Sequence, residues 1–282
     1  MIFPWIWHDL VLSALEEDVG VGDITTEAIF SPESRGSLLF CARHDLIVCG
    51  TAAIAETYRQ IDPQVVVDIQ AEDGLALGPG GVIARATGPS RALLTGERVA
   101  LNFLQRLSAI ATVTRKTVRE LEGFPTVLLD TRKTTPGWRA IERWATSVGG
   151  AKNHRFNLSA AVLIKDNHIA AAGGILPALT AVKRSVGPTI TIEVEVDRLD
   201  QIEEAISGSP DAILLDNMDI PTLKAAVSLV GGRVFTEASG GIHPGMVRAV
   251  AETGVDAISL GWLTHSAPAA DIGAEWEVVC HE

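Results

Sequence analysis

From residue 126 onward the sequence repeats one unit, in which a short apolar run ends in a polar residue and is followed by a loop and a helix. The predicted strands are residues 126–129, 161–164, 189–194, 212–215, 233–236 and 257–260. This alternation is typical of a parallel β/α barrel, whose functional side chains follow the carboxyl ends of its strands. The sequence supplies six such strands, whereas a complete barrel has about eight.

The ends of the predicted strands carry Asp130, Lys165, Glu195, Asp216, Glu237 and Gly261. Glu195 and Asp216 close successive strands, so we expect their carboxylates side by side at one mouth of the barrel. There they are suited to the hydroxyls of a ribose and, with Mg²⁺, to the pyrophosphate of an activated sugar. The alternative is that each carboxylate caps the helix that follows its strand.

Cations crowd around the first two strand ends, in the segments DTRKTTPG (130–137), GGAKNHRF (149–156) and LIKDNHI (163–169). They are Arg132, Lys133, Lys152, Arg155 and Lys165, interleaved with His154 and His168. Arginine forks onto carboxylate or phosphate oxygens and lysine adds a compact charge, so the group predicts a pocket for an anion with several charges. Surface salt bridges are the competing interpretation for any one of these residues.

Two glycine-containing turns, residues 239–241 and 259–261, follow the last two predicted strands. Backbone N–H groups in such turns form an anion nest, and the loops after the final strands are the usual phosphate site of a barrel. The two turns therefore predict a site for a sugar phosphate.

The chain as a whole is acidic, with a net charge of −12 over 282 residues. An acidic chain argues against nucleic acid or an anionic membrane as a partner, so a local positive patch must attract any anionic substrate. Cys41, Cys49 and Cys280 show no CxxC spacing, which predicts idle thiols in a reducing compartment instead of disulfides or zinc ligands. The start of the chain has no signal-peptide pattern and no apolar run approaches a membrane span, so we expect a cytoplasmic protein.

The first part of the chain has other periodicities. Residues 8–18 predict an amphipathic helix, a loop containing GDITTEAI follows, and residues 36–89 predict the short strands of a small β-rich domain. A further helix is predicted over residues 97–111, with Arg98 in its first turn, where the helix dipole disfavours a cation. Arg98 therefore has another use or, in the simpler interpretation, pairs with Glu97.

Several stretches closely resemble the quinolinate phosphoribosyltransferase family, also called decarboxylating nicotinate-nucleotide pyrophosphorylase. Besides the three cationic segments, they are GDITTEAI, TGERVALNFLQRLSAIAT, IEVEV, LLDNM, EASGGI and SLGWLTHSAPAADI, and together they cover nearly the whole chain. The resemblance implies an α/β protein with an N-terminal α/β sandwich domain over residues 1–112 and an incomplete, open parallel β/α barrel over residues 113–266. Residues 267–282 would pack on the first domain.

The resemblance also implies a reaction, in which the phosphoribosyl group of phosphoribosyl pyrophosphate is transferred to quinolinate with decarboxylation. The products are nicotinate mononucleotide, pyrophosphate and CO₂, on the route to NAD. A homodimer is implied, with a hexamer as a further assembly, and Arg98 of one subunit would reach the substrate carboxylates of the other.

The implied catalytic residues are Lys133, Lys165, Glu195 and Asp216, and Glu195 and Asp216 would also hold Mg²⁺. The implied substrate-binding residues are Arg98, Thr131, Arg132, Lys133, His154, Arg155, Lys165, Glu195, Asp216, Ser239, Gly240, Gly241, Leu260, Gly261 and Trp262. Within this set the dicarboxylate clamp would consist of Arg132, Arg155, Lys165 and the partner's Arg98, assisted by His154. Lys133 would lie near the pyrophosphate.

Four residues depart from the family pattern. Ala151 stands where a third glycine is expected, and Trp138, Trp144 and Trp262 replace smaller or aliphatic residues. Trp262 follows the predicted phosphate loop, so it puts the shape of the pocket there in question.

Three other functions compete with this interpretation. In an aldolase-type lyase Lys165 would form a Schiff base with a sugar phosphate, which requires a lysine in an apolar pocket. A paralogue of the same fold could bind molybdate or another anion without turnover, but the intact NHRF and KDNH motifs argue against it. A zinc enzyme is disfavoured, because the histidines at positions 154, 168, 243 and 265 lack helical ligand spacing.

Overall fold

The computed structural model describes residues 4–277. The helices are α1 (Pro4–Val19), α2 (Ile24–Ile29), α3 (Thr51–Ile61), α4 (Ser90–Glu120), α5 (Arg139–Gly149), α6 (Asp166–Ala172), α7 (Ile175–Ser185), α8 (Ile202–Ser207), α9 (Ile220–Val230), α10 (Val247–Ala251) and α11 (Trp262–His265). The strands are β1 (Arg35–Ala42), β2 (Leu46–Ile47), β3 (Val66–Ile69), β4 (Ala76–Leu77), β5 (Val82–Pro89), β6 (Val127–Leu129), β7 (Val162–Ile164), β8 (Ile192–Val196), β9 (Ala212–Asp216), β10 (Phe235–Ser239), β11 (Ala257–Ser259) and β12 (Ile272–Trp276). These elements form two compact units. One contains residues 4–115, 134–150 and 266–277, and the other contains residues 116–133 and 151–265.

The first unit is built on a four-stranded antiparallel sheet with the order β12-β1-β5-β3, accompanied by the pair β2-β4. Its hydrophobic core includes Phe40 of β1, Tyr58 of α3 and Phe103 of α4, all fully or nearly fully buried. Helices covering one sheet around a single core make an α/β sandwich, because each amphipathic element must bury its apolar face against another. The predicted N-terminal α/β sandwich is confirmed.

Several details of this unit differ from the predictions. GDITTEAI is not a loop: it contains α2, whose N-cap Asp23 accepts a hydrogen bond from the Thr26 N–H at 3.0 Å. Helix α3 was not predicted. Helix α4 begins at Ser90, so the prediction that Arg98 lies in the first turn was wrong. Gly96 suggests a helix boundary in the sequence, yet a Cβ there would meet the Tyr58 ring at 2.9 Å, so it serves close packing of α4 on α3.

The second unit contains a six-stranded parallel sheet with the order β6-β11-β10-β9-β8-β7. Within residues 4–277 the edge strands β6 and β7 do not pair with each other, so the barrel is incomplete and open as predicted. Strands β8 and β10 start and end later than predicted, which places Glu195 and Glu237 inside the strands and not after them. The face of the sheet on which each of these side chains lies is then set by the alternation of side chains along its strand.

The segment 134–150 falls in the range predicted for the barrel, but the structure places it in the first unit. Its helix α5 buries Ile141 and Ala145 in the core of that unit. Gly149 of α5 approaches α4 closely, since a Cβ there would lie 2.4 Å from Thr114 Cβ. Apolar burial and close contact with α4 therefore hold residues 134–150 in the first unit. The predicted boundary near residue 112 stays a prediction.

Candidate active site

A cavity of about 1050 Å³ opens at the carboxyl ends of the parallel strands, and all its lining residues belong to the second unit. The predicted site residues that line it are Thr131, Arg132, Lys133, His154, Arg155, Lys165, Glu195, Asp216, Ser239, Gly240, Gly241, Gly261 and Trp262. They come from loops or strand ends far apart in sequence, and the parallel sheet brings them to one mouth. The described chain thus assembles cations, carboxylates and glycine turns in one place.

Leu260 and Arg98 are not among the residues that line this cavity. Leu260 is fully buried and its backbone N–H donates to the Leu129 carbonyl at 3.0 Å, so it has no amide left for a phosphate. Its predicted place in the binding set is therefore not supported by the geometry. Arg98 lies exposed on α4 in the first unit.

The cationic end of the cavity holds Arg132, Arg155 and Lys165. One guanidinium nitrogen of Arg155 donates to the Ala161 carbonyl at 3.0 Å, and Lys165 Nζ lies 2.6 Å from Glu195 Oε2. Burial lowers the pKa of Arg155, and the nearby Arg132 charge lowers it further. Two guanidinium groups this close repel each other, so an anion bound between them would relieve the repulsion.

Two further residues of the predicted cationic cluster do not reach the cavity. Lys152 is exposed and its backbone forms an isolated parallel bridge with Leu129 beside β6. His168 lies in the first turn of α6, and its Nδ1 accepts the Lys165 backbone N–H at 3.0 Å. His168 therefore caps a helix and helps to hold the backbone of Lys165.

The two carboxylates expected side by side lie on neighbouring strands. Glu195 of β8 pairs in register with Leu214 of β9, and Asp216 follows two residues further on the same face of β9. Asp216 accepts a hydrogen bond from the Asn217 side chain at 2.7 Å. Asp216 is not a helix cap, since Asp219 caps α9. Both carboxylates therefore face the cavity.

The glycine turn after β10 is shaped by backbone conformations that favour glycine. Gly240 and Gly241 have φ angles of +85° and +64°. A Cβ on Gly240 would lie 2.7 Å from the backbone nitrogen of Asn217, which itself has φ +53°. The Ser259 hydroxyl donates to Ser239 Oγ at 2.9 Å and links the ends of β11 and β10. These contacts hold the turns close together at the cavity wall.

A largely buried trio at the wall of the cavity was not predicted as a unit. His154 Nε2 lies 3.1 Å from Glu193 Oε2 and 3.4 Å from Glu237 Oε2, and both carboxylates are almost fully buried. The signal was the alternation in IEVEV, which puts Glu193 on the same face as Glu195. Two carboxylates buried on neighbouring parts of the sheet need hydrogen-bond donors, and His154 Nε2 faces both of them.

Protonation of the trio follows from its surroundings. Burial lowers the pKa of His154, but hydrogen bonds and charges from Glu193 and Glu237 outweigh it and raise the pKa above its ordinary value, which taken alone favours the imidazolium. Burial and the Glu237 charge raise the pKa of Glu193. The Arg155 backbone N–H donates to His154 Nδ1 at 2.7 Å, which an imidazolium could not accept. The hydrogen bond decides the matter, because two N–H groups facing each other at that distance repel. The ring is therefore the neutral tautomer with its proton on Nε2.

The tryptophan substitutions have separate roles. Trp138 stacks on Phe103 with ring centroids 4.6 Å apart, and Trp144 Nε1 donates to Asp73 at 3.2 Å, both within the first unit. Trp262 lines the cavity beside Gly261. Trp138 and Trp144 are thus explained by packing in the sandwich, and Trp262 alone of the three bears on the shape of the cavity. Ala151 is buried.

The geometry also bears on the competing functions. Lys165 is paired with a carboxylate at 2.6 Å, which is not the apolar setting that a Schiff-base lysine needs. Over residues 4–277, the one cluster of three potential metal-ligating side chains is His154, Glu193 and Glu237, with no cysteine and no second histidine. That composition does not favour zinc. Cys41 and Cys49 are free and buried, and Cys280 lies outside the described residues.

No helix in residues 4–277 combines the length and the apolar character needed to cross a membrane.

Known proteins match the chain along nearly its full length. The family models for the quinolinate phosphoribosyl transferase N-terminal and C-terminal domains match residues 23–108 and 110–275. A probable nicotinate-nucleotide pyrophosphorylase (carboxylating) of Bacillus subtilis is 44% identical over 259 residues, which cover 92% of this chain and 89% of the relative. A quinolinate phosphoribosyltransferase (decarboxylating) of Nicotiana glauca is 38% identical over 278 residues, covering 92% and 79%. The solved nicotinate-nucleotide pyrophosphorylase of Francisella tularensis superposes with a TM-score of 0.93 at 37% identity, covering 98% of each chain.

Proposed function

Because this chain belongs to the quinolinate phosphoribosyltransferase family, we infer that it transfers the phosphoribosyl group of phosphoribosyl pyrophosphate to quinolinate with decarboxylation. The products are nicotinate mononucleotide, pyrophosphate and CO₂, in the biosynthesis of NAD. The observation that carries this function is the cavity of the second unit, which joins a cationic end, two carboxylates and two glycine turns. A dicarboxylate, a ribose and a phosphate need those three environments in one site.

At the cationic end, Arg132, Arg155 and Lys165 clamp the two carboxylates of quinolinate. The pyridine nitrogen then attacks C1 of the ribose, and the C1–oxygen bond to pyrophosphate breaks. The product is a pyridinium, so the electron pair left at C2 when CO₂ departs is stabilised by the adjacent positive nitrogen, and C2 then takes up a proton. No side chain forms a covalent bond in these steps, and the contribution of the protein is positioning and electrostatics.

Lys165 has a second task in this site. Its Nζ lies 2.6 Å from Glu195, so it connects the end that binds the dicarboxylate with the end that binds the sugar. This contact also fixes the position of Glu195, whose negative charge stabilises the oxocarbenium-like ribose of the transition state. Lys133 lines the cavity beside Gly261 and Thr131, where its ammonium neutralises the departing pyrophosphate.

Glu195 and Asp216 offer carboxylate oxygens to the cavity, which is the donor type that Mg²⁺ prefers. Asp216 keeps one oxygen for the Asn217 amide and Glu195 keeps one for Lys165, so each retains a second oxygen for a cation or for water around it. These residues would hold Mg²⁺, which when bound neutralises charge on the pyrophosphate. The same carboxylates orient the ribose hydroxyls as hydrogen-bond acceptors.

The phosphate of the sugar lies at the turns that follow β10 and β11. Backbone N–H groups of Gly240, Gly241 and Gly261 form the nest, and the Ser239 hydroxyl adds a further donor. Trp262 lines the cavity next to Gly261 of the second turn.

The site is completed in a homodimer, which is the assembly we assign, with a hexamer as its further form. Arg98 is exposed on α4 and would supply a fourth cation to the dicarboxylate site of the partner subunit. The reaction takes place in the cytoplasm, in keeping with two buried thiols, Cys41 and Cys49, that are not joined in a disulfide.

The experiment that tests the reaction combines two products. Purified protein is incubated with carboxyl-labelled quinolinate, phosphoribosyl pyrophosphate and Mg²⁺, and labelled CO₂ is measured together with nicotinate mononucleotide. Equal release of both, lost in Arg155→Ala and Lys165→Ala and kept in Arg198→Ala, is expected. Arg198 is a matched control, because it is exposed and pairs only with its neighbours Asp197 and Asp200. Release of neither product by the folded wild-type protein at saturating substrates contradicts the function.

The shared site has its own test. Arg98→Ala and Lys165→Ala subunits, each inactive alone, are mixed after dissociation and allowed to reassociate. If Arg98 serves the partner's site, mixed dimers contain one intact site and recover about a quarter of wild-type activity from random pairing, since half the dimers carry one intact site of two. No recovery, with mixed dimers shown by mass, assigns Arg98 to its own subunit and overturns the shared site.

A further inference from the structure

Both ring nitrogens of His154 are engaged by the protein itself. Nε2 faces Glu193 at 3.1 Å and Glu237 at 3.4 Å, and Nδ1 accepts the backbone N–H of Arg155 at 2.7 Å. A ring held at both nitrogens has no donor left for a substrate carboxylate. In this arrangement the ring holds the backbone of Arg155 through Nδ1.

The two carboxylates favour one of the two flipped orientations of the His154 ring. Each of Glu193 and Glu237 turns one oxygen toward Nε2, while the other oxygen is buried without a hydrogen-bond donor among the described residues. Both carboxylates therefore depend on the Nε2 proton for compensation, and a flipped ring would face them with carbon. The cost of leaving two buried carboxylates uncompensated keeps Nε2 toward them and Nδ1 toward Arg155.

The same hydrogen bond disfavours a metal ion at this trio. A neutral imidazole carries one proton, and Nδ1 has given its lone pair to the Arg155 N–H. The proton is therefore on Nε2, the nitrogen that faces the carboxylates, and a metal ion there would have to displace that proton or shift it to Nδ1 at the cost of the Arg155 hydrogen bond. We therefore interpret the trio as an arrangement that orients the His154 ring.

The segment that this ring holds crosses the open side of the barrel. Asp130, fully buried just after β6, accepts the His154 backbone N–H at 2.9 Å and the Asn153 side chain at 2.6 Å. At the other end the Arg155 guanidinium donates to the Ala161 carbonyl at 3.0 Å, just before β7. Backbone hydrogen bonds between Lys152 and β6 anchor the start of this stretch, and the side chains just named hold the residues that follow.

We propose that Glu193 and Glu237 are positioning residues, which through the His154 ring fix the backbone and hence the guanidinium of Arg155 at the dicarboxylate end of the cavity. This inference rests on the proposed function in one respect, namely that Arg155 contacts quinolinate. The relay of contacts from the two carboxylates through the His154 ring to the Arg155 backbone N–H does not depend on the reaction.

Loss of this relay should affect the KM for quinolinate and not the KM for phosphoribosyl pyrophosphate. In Glu193→Gln and Glu237→Gln the amide can turn its NH₂ toward Nε2, which removes the preference for one ring orientation. Arg155 is then placed less accurately, while the glycine turns at the other end of the cavity are untouched. We expect the KM for quinolinate to rise about tenfold, with the KM for phosphoribosyl pyrophosphate unchanged within about twofold.

The test combines these kinetics with a direct observation of the ring. Protein labelled with ¹⁵N-histidine shows the ring signals, and those of His154 are identified by their loss in His154→Gln. The wild type is expected to show Nε2 protonated and Nδ1 unprotonated near neutral pH, and Glu193→Gln and Glu237→Gln to show a mixture of tautomers. Glu252→Gln, an exposed residue in a loose pair with Arg248, is the control and leaves both readouts unchanged.

Each result bears on a different statement. A quinolinate-selective rise in KM together with mixed tautomers supports the relay. Equal rises in both KM values, or an unchanged tautomer in both variants, overturn it, as does Mn²⁺ binding in equilibrium dialysis that is lost in Glu193→Gln and kept in Glu195→Gln. Absence of turnover in the wild type contradicts the proposed reaction alone, since the tautomer of His154 is still measured.

Discussion

Replacing Gly240 with alanine tests whether the turn after β10 depends on a close backbone contact. Gly240 has φ +85°, and a Cβ there would lie 2.4 Å from Asn217 Oδ1 and 2.7 Å from the Asn217 backbone nitrogen. The side-chain oxygen can rotate away, but the backbone nitrogen cannot. It is fixed by donating to the Ser239 carbonyl at 2.9 Å.

The expected loss of stability has two parts. An alanine in the left-handed region costs about 1 kcal/mol, and forcing a methyl group against fixed backbone costs about 1–3 kcal/mol. Gly232→Ala separates them, because Gly232 has φ +72° with no atom within 4 Å of its Cβ. Gly240→Ala should therefore lose about 2–4 kcal/mol and Gly232→Ala about 1 kcal/mol, so that the difference measures the contact.

The assay is thermal unfolding of both variants beside the wild type, followed by steady-state kinetics. A difference of 1 kcal/mol moves the midpoint by about 2–4 °C for a chain of this size. Displacement of the turn should also raise the KM for phosphoribosyl pyrophosphate about tenfold and leave that for quinolinate nearly unchanged. If Gly240→Ala melts at the same temperature as Gly232→Ala, the contact with Asn217 does not constrain the turn and the reasoning is refuted.

Three further predictions concern the first unit. Glu142 is fully buried and its carboxylate lies 2.9 Å from an Arg106 guanidinium nitrogen. Glu142→Gln should therefore lower the free energy of unfolding in urea by about 3–5 kcal/mol. A loss below about 1 kcal/mol would mean that the charge of the pair contributes little to stability. Hydrogen bonding to Arg59 lowers the pKa of Glu56 to about 2, against 4.5 when unfolded, so its contribution is present above pH 4.5 and lost as the pH falls through about 2. Since Arg59 is largely exposed, this contribution is about 1 kcal/mol. Glu56→Gln should abolish that part of the acid destabilisation. If the stability of the variant falls with pH in parallel with that of the wild type, the prediction is contradicted. Asp23→Ala should cost about 1 kcal/mol by removing the cap of α2, whereas Asp23→Asn should cost less in the same measurement, and equal losses would rule out the cap.

Prediction from sequence worked best where one local pattern carries the information. The repeated strand and helix unit predicted the six parallel strands and the cavity at their carboxyl ends, because a residue just after a buried strand has few other places to point. Strand limits were less accurate: the run TITIEVEV predicted a strand ending before Glu195, whereas β8 continues to Val196. This shift concealed Glu193, which a strand continuing to Val196 places on the cavity face with Glu195.

Features that depend on distant contacts were beyond the sequence. The start of α4 was misplaced because Gly96 disfavours a helix locally, and only packing against Tyr58 explains its presence there. The path of residues 134–150 was missed for the same reason, since the core that accepts Ile141 is assembled from other parts of the chain. Helix α3, similarly, is decided by the core it covers more than by its own residues.

Strand β12, which pairs with β1 from Leu38↔Trp276 to Ala42↔Ile272, has a consequence for the order of synthesis. The ribosome makes β1 before all the strands of the parallel sheet and β12 after them. While translation continues, one edge of β1 has no strand to cover it, and exposed strand edges invite pairing with other chains. The parallel sheet, in contrast, has all its strands once residue 259 has left the exit tunnel. The unit whose synthesis starts first is thus completed last, and nascent chains paused before residue 272 are the form most in need of a chaperone.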